Sequence, residues 1–145
     1  MGVVKMEDVF SEKLISIIHR ANMSRLEHEL KSYDIGSGQL QFLLALYCQE
    51  GVNQEELSRT LGMDKATTTR ALNKLEAEGL IYRKRDESDK RSKNIHITTK
   101  AHHIKTEVQK LSKKWNEKLF QGFTTAEREE MMNYLMRMVE NINQK

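Results

Sequence analysis

Several features are missing from the 145-residue chain, and each absence excludes a class of protein. Proline is absent and there are only seven glycines, so long helices are favoured and no glycine-rich nucleotide loop is available. The single cysteine, Cys48, can form neither an internal disulfide nor a zinc site alone, in agreement with a reducing compartment. The longest apolar run, Phe42–Tyr47, is too short to cross a bilayer, and residues 1–10 mix acidic with apolar side chains. We therefore expect a cytoplasmic protein without a membrane span or signal peptide.

The composition indicates a folded protein that binds no cofactor. Hydrophobic residues make up 38% of the chain and charged residues 31%, which is typical of soluble globular proteins. A chain of this length forms one domain or one protomer of a small oligomer and needs no disulfides. These features favour a mainly α fold over most cofactor-dependent enzymes.

The positive charge is concentrated in the middle of the chain. Residues 65–100 contain ten lysines and arginines against five carboxylates, whereas the formal net charge of the whole protein is only +3. Such a concentration is typical of a phosphate-binding surface. The alternative is a charged face that serves only solvation, and the local structure of this segment decides between the two.

Hydrophobic periodicity predicts two helices before the basic segment. Apolar residues recur at intervals of three and four from Val9 to Tyr33, which predicts one helix of about 25 residues. The segment Asp34–Gly38 breaks this pattern, and Ser37 is expected to cap a second helix. That helix is apolar on most sides, so it should lie in the core, with Cys48 as a small buried side chain.

The basic segment begins with a predicted helix-turn-helix. Asn53 is expected to cap a short helix, and Asp64 to cap a second one over residues 64–78, with Gly62 in the turn between them. Thr68, Ala71, Leu72 and Leu75 share the inner face of the second helix. Its outer face is polar, small and basic, with no carboxylate before Glu76: Lys65, Ala66, Thr67, Thr69, Arg70, Asn73 and Lys74. An ordinary solvent-exposed helix would usually mix both signs of charge, whereas this face suits contact with DNA.

A β-hairpin is predicted directly after this helix, over about residues 80–98. The segment Leu80–Arg85 has strand composition, and Ile95 and Ile97 alternate with polar residues. The loop Asp86–Lys93 contains no apolar residue and carries Arg91 near its tip. A helix-turn-helix followed by such a hairpin is a winged helix, whose wing can place a basic side chain along the DNA backbone or in the minor groove.

The helices around residues 37–98 carry more apolar surface than the winged helix can cover. One predicted stripe runs from Ile104 through Trp115 to Phe123, and a last helix, capped by Thr124 or Thr125, carries apolar residues from Met131 to Ile142. We expect residues 1–36 and 99–145 to form a dimerisation region, in which the methionines pack at the interface. The alternative is a three-helix bundle within one chain.

Four segments of the chain together resemble the MarR/SlyA family of transcription regulators. Leu57–Arg70 is similar to the recognition helix and the turn before it, and Leu75–Arg83 to the Gly-Leu step into the wing. Asp86–Arg91 contains the Asp-x-Arg signature of the wing. Ile97–Lys100 resembles the Leu-Thr-x-x-Gly step, with Ile97 in place of leucine and Ala101 in place of glycine.

The resemblance implies a ligand-responsive homodimeric repressor that binds pseudo-palindromic operators in double-stranded DNA. By the same analogy, six residues of the recognition helix would face the major groove or its phosphates: Lys65, Thr67, Thr69, Arg70, Asn73 and Lys74. Arg91 would enter the minor groove, oriented by Asp89, with Arg83 and Arg85 nearby. A small aromatic effector would bind between the dimer helices and the winged helix.

Protein binding and catalysis are the alternatives to DNA binding. A winged helix that binds a protein partner instead of DNA would favour a neutral or acidic outer face, which this chain lacks. Catalysis is not expected, because no nucleophile, base and orienting acid occur together. A metal site is not expected either, because the five histidines, including the adjacent His102 and His103, lack a cysteine or carboxylate cluster to complete a ligand set.

Overall fold

The computed structural model describes residues 10–144, which form mostly helix with one small antiparallel sheet, as the sequence predicts. Val9 and most of the stretch on which the signal-peptide expectation rested lie outside the described residues. The chain divides into two compact units, the first ending at Gln109 and the second beginning at Lys110. The elements are α1 (Ser11–Glu29), α2 (Ser37–Cys48), β1 (Val52–Asn53), α3 (Gln54–Leu61), α4 (Lys65–Ala77), β2 (Ile81–Arg85), β3 (Lys93–Ile97), α5 (Thr99–Leu119) and α6 (Thr125–Asn143).

Helix α1 is shorter than the prediction of one helix through Tyr33. It ends at Glu29, and a 3₁₀ turn over Lys31–Tyr33 leads to Asp34, whose φ of 56° is left-handed. Leu30 and Ile35 are both buried. Positions five apart on a continuous α-helix point about 140° away from each other, so the chain must leave the helix to bury both.

Helix α2 lies in the core, as its composition predicts, but two details of the prediction are wrong. Leu40, Phe42, Leu43 and Leu46 are buried. The N-cap is Gly36, whose carbonyl accepts from the N–H groups of Gln39 and Leu40, so Ser37 is already inside the helix and makes no cap hydrogen bond. Cys48 is exposed. It follows the buried Leu46 by two positions, which turns its side chain about 200° away from the core face.

The sheet has the strand order β1–β3–β2, with antiparallel pairing throughout. The hairpin of β2 and β3 is the predicted wing, and it buries Ile95 and Ile97 on one face as the alternation indicates. Lys93 belongs to β3, opposite Arg85, so the wing loop is Asp86–Ser92, one residue shorter than predicted. Strand β1 was not predicted from the sequence.

The first half of α5 packs in the same unit as the helix-turn-helix. Ala101, Ile104 and Val108 are buried there. The Tyr47 hydroxyl donates to the Ala101 carbonyl at 2.7 Å, and burial raises the pKa of this tyrosine. This hydrogen bond joins the end of α2 to the beginning of α5.

The second unit contains the remainder of α5 and the whole of α6. Helix α5 ends at Leu119, short of the predicted stripe to Phe123, because Gly122 adopts a φ of +84° in the connection. Thr124 and Glu127 form a complete capping box at the start of α6, so Thr124 is the cap. All described residues of α6 are exposed, including Met136 at 59% and Val139 at 56%.

Candidate nucleic-acid interface

The turn between α3 and α4 is built by one glycine and one aspartate. Gly62 has a φ of +62°, a conformation that glycine adopts without steric cost, and its N–H bonds back to the end of α3. Asp64 then caps α4: its carboxylate accepts from the Thr67 N–H at 2.7 Å and from the Thr67 hydroxyl at 2.8 Å. The backbone hydrogen bond from Thr67 lowers the pKa of the Asp64 carboxyl, and the Thr67 hydroxyl and the Arg70 charge act in the same direction. The predicted helix-turn-helix and both predicted caps, Asn53 and Asp64, are present.

Threonine and glutamine side chains hold α3 and α4 together. The buried Thr68 hydroxyl donates to the Asp64 carbonyl and accepts from the Ser58 hydroxyl at 2.9 Å. Gln54 donates its side-chain amide to the Thr69 hydroxyl at 2.6 Å. Thr69 is therefore anchored to α3 as well as lying on the outer face of α4, a role that its sequence position does not reveal.

The outer face of α4 presents the predicted set of polar and basic side chains to solvent. Lys65, Arg70, Asn73 and Lys74 are exposed, and Thr67 and Thr69 are half-buried. Arg70 donates to the Thr67 hydroxyl at 3.3 Å, which draws its guanidinium towards the N-terminal end of the helix. Thr68, Ala71, Leu72 and Leu75 are buried on the opposite face, as predicted.

Arg83 lies between the wing and α4 rather than on the free surface of the wing. Its side chain is 18% exposed and forms an ion pair with Glu76, with 2.9 Å between Nη1 and Oε2. Its second terminal nitrogen, Nη2, donates to Asn73 Oδ1 at 3.2 Å. Two of the predicted site residues, Arg83 and Asn73, are thus in direct contact.

The remaining predicted wing residues are exposed. Arg85 ends β2, and its side chain makes no hydrogen bond or ion pair with any residue between 10 and 144. Arg91 is exposed in the wing loop, and its backbone N–H donates to the Asp89 carboxylate at 3.0 Å. Asp89 therefore holds the backbone at Arg91, and its role in orienting Arg91 towards the minor groove stays a prediction.

A second aspartate folds the beginning of the wing loop. The Asp86 carboxylate accepts from both the hydroxyl and the N–H of Ser88, and the hydroxyl bond is the main cause of the lowered pKa of Asp86. The Asp86 N–H donates to the Ser92 carbonyl at 2.9 Å, which closes the loop at its base. The loop is therefore preorganised around Arg91.

A groove of about 790 Å³ separates the wing from the helix-turn-helix. Arg83, Arg91 and Lys93 supply positive charge to it, and Glu55, Glu76 and Asp89 supply negative charge. Its other lining residues are Asn53, Gln54, Ser92 and Ile95. The sequence prediction missed the contributions of Gln54, Glu76 and Lys93 to this groove. Gln54 lies on α3, which gave no DNA-binding signal of its own, and Glu76 was considered only as the carboxylate that ends the basic face of α4.

Residues 10–144 contain neither a metal-binding cluster nor a membrane-spanning helix. No group of three or more histidine, cysteine, aspartate and glutamate side chains is arranged to hold a metal ion. No helix in that range has the length and hydropathy to span a membrane.

Comparison with known proteins gives a consistent set of similarities. The family model described as MarR family matches residues 35–93. The HTH-type transcriptional regulator YybA of Bacillus subtilis is 32% identical over 137 residues, which cover 94% of this chain and 90% of that protein. The structure of a MarR transcriptional regulator from Methanosarcina mazei is similar with a TM-score of 0.81 and 41% identity, covering 90% of this chain and 94% of that one.

One similar structure contains nucleic acid. It is a MarR family transcriptional regulator from Listeria monocytogenes in complex with a 26mer DNA, with a TM-score of 0.83 and 30% identity. The similarity covers 92% of this chain and 89% of that chain.

Proposed function

The chain belongs to the MarR family of transcription regulators, and on this premise we propose that it binds pseudo-palindromic operators as a homodimer and represses transcription. The relative from Listeria monocytogenes, crystallised with a 26mer DNA, supports duplex DNA as the partner. Members of the family are transcription regulators rather than enzymes, and we propose no catalytic activity for this chain. Because a bacterial or archaeal chromosome lies in the cytoplasm, we place the protein there.

The observation that carries this proposal is the outer face of α4 together with the wing loop. We propose that Lys65, Thr67, Thr69, Arg70, Asn73 and Lys74 contact the major groove and its phosphates. Arg91, exposed on the preorganised loop, would enter the minor groove, and Arg85 would contact the backbone nearby. The wing and α4 flank the same groove, so one protomer can contact both grooves of a half-site.

The exposed apolar side chains of α1 and α6 support the homodimer. In α1, Leu14, Ile17 and Ile18 are 47–51% exposed, and in α6 the exposed apolar residues run from Met131 to Ile142. Exposed apolar faces of this length on two helices are typical of an interface between subunits. We therefore assign DNA binding to residues 37–98 and dimerisation to residues 1–36 and 99–145.

We further propose that a small aromatic ligand regulates the DNA affinity of the dimer. We propose that this ligand binds between the dimer helices and the winged helix, as the family resemblance implies. A ligand that binds one arrangement of the dimer more tightly would shift the population towards it, and with it the spacing of the two copies of α4.

Selection of bound duplexes from a random DNA pool by the purified protein tests the proposal directly. We expect a two-fold symmetric motif with half-sites about one helical turn apart. The binding constant should fall steeply with salt, with log K decreasing by about 0.9 per log salt for each phosphate neutralised. Repeating the selection with salicylate tests regulation. Failure to bind any duplex at low salt would leave the protein-interaction alternative.

A further inference from the structure

Arg83 connects the wing to the surface of α4 that faces the proposed DNA site. It lies on β2, opposite Ile95 of β3, and its guanidinium spans two residues that are one helical turn apart on α4. Nη1 is 2.9 Å from Glu76 Oε2, and Nη2 is 3.2 Å from Asn73 Oδ1. A planar guanidinium suits this two-acceptor geometry, whereas an ammonium group is a single point of charge.

The chemistry of this contact fixes the orientation of the Asn73 amide. A guanidinium has only hydrogen-bond donors, so the amide atom that faces it is the oxygen. The Asn73 amide nitrogen is then turned away from Arg83, on a side chain that is exposed on the outer face of α4. Asn73 consequently offers solvent, or a bound duplex, a hydrogen-bond donor.

The ion pair also changes the charge of the outer face. Glu76 is the first carboxylate on that face after the N-terminal end of the helix, and its side chain is 47% exposed. An unpaired carboxylate at this position would repel DNA phosphates. Arg83 compensates this charge, so its own charge is already engaged before DNA binds.

We propose that Arg83 is a positioning residue for sequence recognition, which makes Asn73 a hydrogen-bond donor to an acceptor on a base edge. This inference rests on the proposed DNA binding. Asparagine recognises adenine through its oxygen and nitrogen together, and here the oxygen is engaged by Arg83. The major-groove acceptors that remain compatible with the Asn73 amide N–H₂ are N7 of adenine and guanine, O6 of guanine and O4 of thymine, whereas cytosine offers none. Arg83 itself contacts no phosphate.

The test compares selected DNA motifs for the wild-type protein, Arg83→Lys and the control Arg137→Lys, which changes an exposed arginine of α6 outside residues 37–98. Lysine keeps the positive charge and can pair with Glu76, but it lacks the planar fork in which separate nitrogens of Arg83 reach Glu76 and Asn73. We expect Arg83→Lys to lose roughly tenfold discrimination at one base pair of each half-site, with overall non-specific affinity unchanged. Arg137→Lys should retain the wild-type motif. Thermal unfolding of all three proteins verifies that they are folded.

A double-mutant cycle identifies Asn73 as the residue through which Arg83 acts. Asn73→Ala should lose discrimination at the same base pair, and adding Arg83→Lys to it should cause no further loss. In addition, the salt dependence of binding should be the same for wild type and for the charge-neutral pair Arg83→Met with Glu76→Gln. A phosphate contact would instead reduce the slope by about 0.9.

The outcomes separate this inference from the proposed function. If the wild-type protein selects no motif, the proposed function fails, and the inference fails with it. If the wild type selects a motif and Arg83→Lys selects the same motif with the same discrimination, only the inference is overturned. Additive effects in the cycle, or a reduced salt slope, would likewise contradict a positioning role.

Discussion

The Ser58 hydroxyl donates to the hydroxyl of Thr68 at 2.9 Å, and this bond joins the two helices of the helix-turn-helix inside the protein. Thr68 is fully buried and donates in turn to the Asp64 carbonyl. The chain of hydroxyls therefore extends from α3 to the residue that caps α4. The angle between α3 and α4 depends on polar groups as well as on apolar packing.

Replacing Thr68 by valine should destabilise the protein, because it removes both hydrogen bonds while retaining the shape of the side chain. We expect a loss of about 1–2 kcal/mol in the free energy of unfolding. Ser58→Ala should cost less, since Thr68 keeps its bond to Asp64. Chemical denaturation at one protein concentration measures the free energy of unfolding of both variants. The loss of stability in the double variant should be smaller than the sum of the two single losses. Strict additivity would show that the two hydroxyls are not coupled.

The stability of the fold should decrease in acid, and Asp64 should contribute to the decrease. Three carboxyl groups have a lowered pKa because they accept hydrogen bonds from a nearby serine or threonine. Thr67 donates to Asp64, Ser88 donates to Asp86, and Thr124 donates to Glu127. A carboxyl whose pKa is lower in the folded state stabilises the fold above its unfolded pKa, near 4, and loses this effect as pH falls through the folded pKa. We expect the melting temperature to fall as pH decreases below about 4.

Asp64→Asn provides the matched variant for this effect. Asparagine also caps helices but does not titrate, so the variant should lose less stability between pH 6 and pH 3 than the wild type. Melting curves across this range measure the difference. Parallel pH profiles for the two proteins would mean that Asp64 has the same pKa in the folded and unfolded states.

Arg70→Ala and Arg91→Ala should both weaken binding to a selected operator. Each removes an exposed cation from the proposed interface, and we expect a loss of about 1–3 kcal/mol for Arg70, with relaxed base preference if it contacts a base edge. Fluorescence anisotropy at several salt concentrations measures both the affinity for DNA and the slope of log K against log salt concentration. Lys113→Ala, an exposed cation outside residues 37–98, is the control. Wild-type affinity in both arginine variants would contradict the groove assignment.

A glutamate on the apolar face of α6 should dissociate the proposed dimer. Leu135 is centred among exposed apolar residues, whereas Asn133 lies on the polar side of the same helix. We expect Leu135→Glu to sediment as a monomer at concentrations where the wild type and Asn133→Glu sediment as dimers. A wild-type protein that remains monomeric at all concentrations would exclude this interface.

Local signals in the sequence predicted three of the helix caps, the helix-turn-helix and the wing, although the expected cap at Ser37 was wrong. Asn53, Asp64 and Thr124 each precede a helix with suitable spacing, and this information lies within a few residues of each cap. Strand β1 has only two residues, and it exists because it pairs with β3 more than 40 positions later, which no local pattern reveals.

The parts of the site that were missed also depend on contacts between distant segments. The pairing of Arg83 with Glu76 and Asn73 requires the hairpin to fold back on α4. The exposure of Cys48 was misjudged because the composition of α2 suggested burial on all sides, whereas Cys48 lies on the opposite side of the last turn from the buried Leu46. Composition gives the average environment of a helix, and the side that each residue faces depends on its angular position.

Asn53 is both the last residue of β1 and the N-cap of α3, where its side chain accepts from the Glu56 N–H at 2.8 Å. Asn53 pairs with Asn94 of β3, and this pairing connects the wing to α3, the first helix of the helix-turn-helix. The wing is therefore not a hinged arm that must close on its target. Because it is anchored at both its strands and its loop base, we expect docking to lose little chain entropy and a displacement of the hairpin to be transmitted to the start of α3.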